Sequence, residues 1–145
     1  FTLRGVVSTV IICHDERYPE FVRLPAIAGA RVVYYISHES GMKQEEKLPG
    51  YRAQMMARAV ENQMFAVAAN APGNVADNSG SHGQSRIIKD DGNVLTEASI
   101  YGEDVLTETL HIRPGRLRRP LEGVTAEWWR QGLAQLERDR NKPLD

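Results

Sequence analysis

The sequence predicts an α/β domain. Three apolar runs carry that prediction, at residues 6–12, 31–36 and 64–69, the first of them almost wholly β-branched. Each is short, unbroken by charge after its first residue, and of strand length. Two stretches with apolar residues at helical spacing separate them. A strand, helix and strand within about thirty residues form a βαβ unit, which requires parallel strands.

The first run, Val6 to Ile12, reads as a strand buried on both faces, which favours a sheet covered by helices. It stops at Cys13. Pro19 suits a first helical position, and Phe21, Leu24, Ile27 and Ala28 recur at helical spacing up to Gly29. Residues 31–36 form the second strand. The polar stretch 37–50, with Gly41, Pro49 and Gly50, reads as a loop. Residues 51–63 form the second helix, with Met55, Met56, Ala59 and Val60 on one face. Residues 64–69 make the third strand. The segment 71–83 is a long loop holding Pro72, Gly73, Gly80 and Gly83, and loops of that length in small domains usually have a function. Residues 85–89 and 94–98 flank Asp90-Asp91-Gly92-Asn93 as a β-hairpin. Residues 105–112 alternate apolar and polar, as a half-buried strand does. A basic linker follows at 114–123, and a last helix at 125–140 takes Thr125 as N-cap and Glu127 in its first turn. The domain boundary is therefore placed at residue 124, with a helical tail over 125–145.

Composition narrows the function classes. The chain has 145 residues, enough to bury a sizeable core in one domain. It carries 18 basic and 19 acidic residues, so there is no electrostatic footprint for nucleic acid or an anionic membrane. Arg113, Arg116, Arg118 and Arg119 lack interleaved aromatics and read as a solvated arm or subunit contact. Apolar runs are too short to cross a bilayer. One Cys excludes an internal disulfide and a resolving partner for redox chemistry; it fits a reducing cytoplasm. The opening Phe1-Thr2-Leu3-Arg4-Gly5 has no signal-peptide pattern and reads as a cut from something longer.

By composition alone Cys13 is a buried small hydrophobe. Its position argues otherwise. Parallel sheets place ligands outside the C-terminal ends of their strands, and Cys13 sits at one such end while Ser37-His38-Glu39 sits at the next. A thiol there, just ahead of a helix start, gains from free N–H groups and the helix dipole. The backbone N–H of His14 is placed to receive an oxyanion.

The stretch Ile11-Ile12-Cys13-His14-Asp15-Glu16-Arg17-Tyr18-Pro19-Glu20 resembles the nucleophile motif of the nitrilase superfamily of carbon–nitrogen hydrolases. Ala57-Arg58-Ala59-Val60-Glu61-Asn62, followed by Val67-Ala68-Ala69-Asn70, is similar to that family's Arg-Ala-x-Glu-Asn helix and next strand. His82-Gly83-Gln84-Ser85 and the hairpin after it resemble its Gly-x-Ser segment. The resemblance implies the C-terminal part of an α-β-β-α sandwich and a Glu-Lys-Cys catalytic set acting on an amide, carbamoyl or nitrile carbon. In the family the Glu and Lys precede the Cys; the twelve residues before Cys13 include neither. The expectation is therefore a hydrolase of non-peptide C–N bonds whose activity needs a preceding half, with no cofactor. The alternative is an incomplete, non-catalytic interaction module. This chain alone is expected to show no turnover and to associate or aggregate, while the complete protein forms a homodimer or higher homo-oligomer.

The candidate catalytic residues are thus Cys13 and, through its backbone, His14. His38 and Glu39 are candidate substrate contacts. Asp15, Arg17 and Glu20 are expected to form an ion-pair network that orients the Cys13 turn, and Arg58, Glu61 and Asn62 a salt-bridge and capping group on the second helix. A Cys–His dyad with His38 or His82 is possible, but the resemblance assigns the base to Glu. The histidines and nearby acids match no metal-ligand spacing. Ser37-His38 replaces the family's frequent Asn-Pro, and His14 stands where an aromatic residue is frequent.

Overall fold

The computed structural model describes residues 1–38, 48–74, 76–77, 79–113 and 126–140. Its sheet has six strands in the order β1-β2-β3-β4-β7-β8. They are β1 (Thr2–Leu3), β2 (Val6–Ile12), β3 (Val32–Ser37), β4 (Phe65–Asn70), β7 (Arg86–Ile88) and β8 (Val94–Glu97). Strands β2, β3 and β4 are parallel, with Ile12 opposite Ile36 and Ser37 opposite Asn70. The edges are antiparallel: β1 pairs β2, β7 pairs β4, and β8 pairs β7. A two-stranded ribbon of β5 (Gly73–Asn74) and β6 (Ser79–Gly80) stands apart from the sheet.

The helices are α1 (Glu20–Ile27), α2 (Leu48–Asn62) and α3 (Glu127–Arg140). Pro19 is the N-cap of α1, because its fixed φ and missing N–H cost nothing there. Helix α2 begins at Leu48, inside the stretch expected to be loop. Pro49 lies in its first turn, where proline is tolerated. Asn62 ends it by donating its side-chain amide to the Arg58 carbonyl, 2.9 Å away. The last helix starts at Glu127; the expected N-cap Thr125 lies outside the described residues.

One face of the sheet meets the helices. Ile11, Val33, Tyr35, Ala66, Ala68 and Ile88 pack there against Val22 and Ala26 of α1 and Met55 and Ala59 of α2. Among the described residues, the other face is left exposed. Phe1, Leu3, Val10, Tyr34, Ile36, Val67 and Ala69 line a shallow apolar depression on it. Ile12 is 60% exposed and Ile36 53%. This corrects the expectation that Val6–Ile12 is buried on both faces: an apolar run shows which surface needs burial, not what buries it. The expected strand at 105–112 is also absent. Residues 103–113 carry no regular secondary structure and pair with no sheet edge, and Val105 is 86% exposed. Alternation alone makes no strand: a strand also needs a ladder of hydrogen bonds to a neighbour, and this segment forms none among the described residues.

Tyr35 illustrates the cost of this packing. Its side chain is 1% exposed and its hydroxyl has no hydrogen-bond partner among the described residues. Burial pushes the phenol pKa far above its ordinary value. Arg58 opposes the shift, and the carboxylates of Glu16 and Glu61 add to it. Removing an unsatisfied buried hydroxyl removes a desolvation penalty, so Tyr35→Phe is expected to stabilise the fold by about 1 kcal/mol. An unchanged or lower urea midpoint in Tyr35→Phe contradicts this.

Candidate active site

The parallel strands β2, β3 and β4 end together at Cys13, Ser37 and Asn70. Cys13 follows β2 directly and opens a single 3-10 turn, Cys13–Arg17. Its φ is +49°, in the left-handed region that costs a side-chain-bearing residue of order 1–2 kcal/mol. Strain of this kind persists only where surrounding structure enforces it, and it turns the thiol out of the strand direction. Cys13 is half-buried, so its Sγ is neither sealed in the core nor fully solvated.

The helix-dipole argument needs correction. The residues after Cys13 form only a short 3-10 turn, and α1 starts at Glu20. The expected helix start directly after Cys13 is thus replaced by this turn, with α1 beginning seven residues later in the chain. The turn is instead closed by its own backbone, with Tyr18 N–H donating to the Asp15 carbonyl at 3.1 Å.

The other candidate residues divide. His14 is exposed and stacks edge-on against Tyr18, with ring centres 5.8 Å apart. His38 is exposed at the end of β3; Glu39 lies outside the described residues. Among the described residues no ion pair joins Asp15, Arg17 and Glu20. Arg17 and Glu20 point to solvent, and Arg17 donates to the Tyr51 hydroxyl at 3.0 Å. The turn is thus tied to the start of α2 by a neutral acceptor, not by the expected network. Arg58 meets Glu61 at 3.3 Å on the surface of α2, while Asn62 is fully buried. Among the described residues no cluster of three or more His, Cys, Asp or Glu could hold a metal ion.

Sequence reasoning missed two parts of this region. The first is Glu16, which is only 3% exposed although it sits in a surface turn. The second is a polar clip around Asn70. Its Oδ1 accepts from the buried Ser81 hydroxyl at 2.8 Å, and its Nδ2 donates to the Gly83 carbonyl at 3.0 Å. Its backbone N–H donates to Ser85 Oγ at 3.0 Å. His82 is buried beside it, with Nδ1 3.5 Å from the Asn70 amide nitrogen, and stacks on Tyr51. Ser37, Tyr51, Asn70, His82, Gln84 and Arg86 line a small cavity at these strand ends, together with the apolar Met55, Ala68 and Ala69. Polarity could not signal the clip, because the run Ser81-His82-Gly83-Gln84-Ser85 has the composition of an ordinary surface loop.

Gly83 fixes how the clip can be built. Its φ is +56°, and a Cβ there would lie 2.4 Å from the Ile100 carbonyl oxygen and 2.6 Å from that of Ser99. Backbone atoms cannot step aside as a flexible side chain can. Gly83→Ala is therefore expected to destabilise the domain by about 2–4 kcal/mol, combining strain with overpacking. A chemical-denaturation midpoint within error of wild type would contradict that.

Comparison with known proteins places this geometry. The carbon–nitrogen hydrolase family model matches residues 1–116. The 2-oxoglutaramate amidase of Bacillus subtilis (strain 168) is 40% identical over 118 residues, covering 78% of this chain and 44% of that protein. The "hydrolase in agr operon" of Staphylococcus aureus is 32% identical over 108 residues, covering 74% of this chain and 39% of its own length. This chain thus spans less than half the length of these relatives. Among solved structures, a mutant of the amidase from Nesterenkonia sp. AN1 superposes with a TM-score of 0.59 and 29% identity. The match covers 70% of this chain and 36% of that one. That amidase carries the acetamide moiety of fluoroacetamide, covalently added at its active-site cysteine. The mixed α/β fold, the length of the match and the amidase relatives agree: this chain belongs to the carbon–nitrogen hydrolase family, the nitrilase superfamily.

Proposed function

We propose that the chain supplies the nucleophile of an amidase, and that Cys13 is that nucleophile. The observation that carries the reading is Cys13 itself: a half-buried thiol, held at φ +49° at the C-terminal end of a central parallel strand. Its Sγ attacks the carbonyl carbon of an amide. The C–N bond breaks, the nitrogen leaves with the thiol proton as ammonia or an amine, and a thioester remains. Water then cleaves the thioester, releasing the carboxylic acid and restoring the thiol. The His14 backbone N–H is proposed to stabilise the oxyanion. His38 and Glu39 are proposed to contact the substrate. The amidase relatives favour an amide or carbamoyl substrate over a nitrile.

The general base and the oxyanion-binding cation are assigned to a Glu and a Lys in a preceding half of a longer protein. That half is also proposed to cover the bare face of the sheet and so complete the sandwich. The tertiary packing supports this, because the face exposes Val10, Ile12 and Ile36 to solvent. Phe21 and Leu24 remain exposed on α1, which supports a subunit contact through that helix. No described helix is long and apolar enough to cross a membrane. The compartment proposed is the cytoplasm.

The test is intact-mass analysis of the longer protein quenched during turnover of candidate amides, carbamoyl compounds and nitriles. The expected result is an acyl adduct that maps to the peptide containing Cys13. Amide turnover with no adduct, and unchanged in Cys13→Ser, overturns the reading. This chain alone is expected to release no ammonia. Ammonia release from it that depends on Cys13 would show that no preceding half is needed.

A further inference from the structure

The Cys13–Arg17 turn holds its first residue in a strained conformation, so something must hold the turn. Its side chains point in different directions. His14 and Arg17 are exposed, Cys13 and Asp15 are half-buried, and Glu16 alone goes fully inward. Carboxylates are among the side chains least often buried, because leaving water is costly without a compensating charge or donor. An apolar residue would fill the same space without that cost.

The interior that receives Glu16 is chemically specific. The turn packs against β3 and α2, and these elements carry the buried Tyr35 side chain and the solvent-shielded Arg58 Nε. Consistent with that packing, Arg58, Glu16 and Glu61 all act electrostatically on the buried Tyr35 hydroxyl. Glu61 stays at the surface of α2 and meets Arg58 there. Arg58 thus pairs with a surface carboxylate on α2, while the buried Glu16 sits on the turn packed against that helix. Three elements converge on this site: the Cys13 turn, the central strand β3 and the helix α2.

We propose that Glu16 is a positioning residue for the Cys13 thiol: its buried carboxylate, seated in the interior shared by Tyr35 and Arg58, locks the strained turn that carries the nucleophile. The inference rests on the proposed role of Cys13. A carboxylate suits this task better than an alkyl group, because charge-assisted interactions are directional and fix the turn's orientation as well as its depth. The gain is made in the attack geometry, where a small misplacement lowers the rate without altering how substrate docks.

The experiment uses the longer amide-hydrolysing protein with three variants. Glu16→Gln keeps the shape and removes the charge. Glu16→Leu needs no polar partner and so guards against a fold failure. Glu16→Asp keeps the charge. In Glu16→Gln and Glu16→Leu, kcat is expected to fall by at least about tenfold, with KM within about threefold. Alkylation of Cys13 by iodoacetamide should slow in parallel, and Glu16→Asp should recover part of both rates. Folded Gln or Leu variants with wild-type kcat and alkylation rates overturn the inference. So does a loss of kcat that merely tracks a loss of folded protein in all three variants. If Cys13→Ser keeps full turnover, the nucleophile reading itself fails, and this inference with it. Loss of turnover in Cys13→Ser beside wild-type rates in Glu16→Gln rejects the inference alone.

Discussion

Cys13→Ala is expected to lower amide turnover by the longer protein at least about a thousandfold, with little change in fold stability. Alanine removes the only sulfur in the chain able to form the thioester. It keeps the Cβ, so the left-handed strain at φ +49° persists and the turn gains nothing. Cys13→Gly separates the two effects. Glycine adopts this φ without a Cβ clash, so the variant should be equally inactive yet more stable than wild type by about 1 kcal/mol. Strain held at a reactive residue and relieved by its removal is the expected mark of a functional site. Ammonia release and urea midpoints on the same preparations check both halves. Wild-type turnover in Cys13→Ala, or a Cys13→Gly variant less stable than wild type, would remove the argument from strain.

Asn70→Ala is expected to cost about 2–4 kcal/mol and to free the segment after β6. The loss exceeds that of one hydrogen bond because two partners are stranded. The Ser81 hydroxyl is fully buried and donates to Asn70 Oδ1; the buried Gly83 carbonyl accepts from Nδ2. Each keeps its desolvation penalty when the amide is gone. Asn70→Asp should be no milder, since it retains an acceptor for Ser81 but sets a carboxylate oxygen against the Gly83 carbonyl. Amide hydrogen exchange over residues 79–85 should quicken in both variants while the β2–β3–β4 core stays protected. Exchange that is unchanged there would show that the hairpin and Gly83 hold the segment without Asn70.

Much of the chain was legible before any coordinates. The βαβ units follow from apolar runs of strand length separated by helical spacing. The hairpin follows from Asp90-Asp91-Gly92-Asn93: Gly92 takes φ +87°, and Asp91 caps the Asn93 N–H at 3.0 Å. These features are local, fixed by residues near one another in sequence. The placement of Cys13 at a strand end also follows, because charge begins where the apolar run stops.

What failed shares one cause. Residues 105–112 have the alternation of a strand but pair with neither edge of the sheet among the described residues. The polar stretch 37–50 hides the start of α2 because Pro49 and Gly50 read as breakers when a first helical turn tolerates them. Asp15, Arg17 and Glu20 have the charges for a network, yet Arg17 and Glu20 face solvent and Arg17 takes a tyrosine hydroxyl.

Cys13 shows the division. The sequence alone determined that a thiol ends the first buried strand in an α/β domain, and that a family motif surrounds it. Only the tertiary structure decided that this thiol sits at φ +49°, that Glu16 beside it turns inward, and that the described residues leave one sheet face exposed. Periodicity records how much surface each segment must bury. Which group does the burying depends on contacts between residues far apart in the chain, and local pattern carries no term for them.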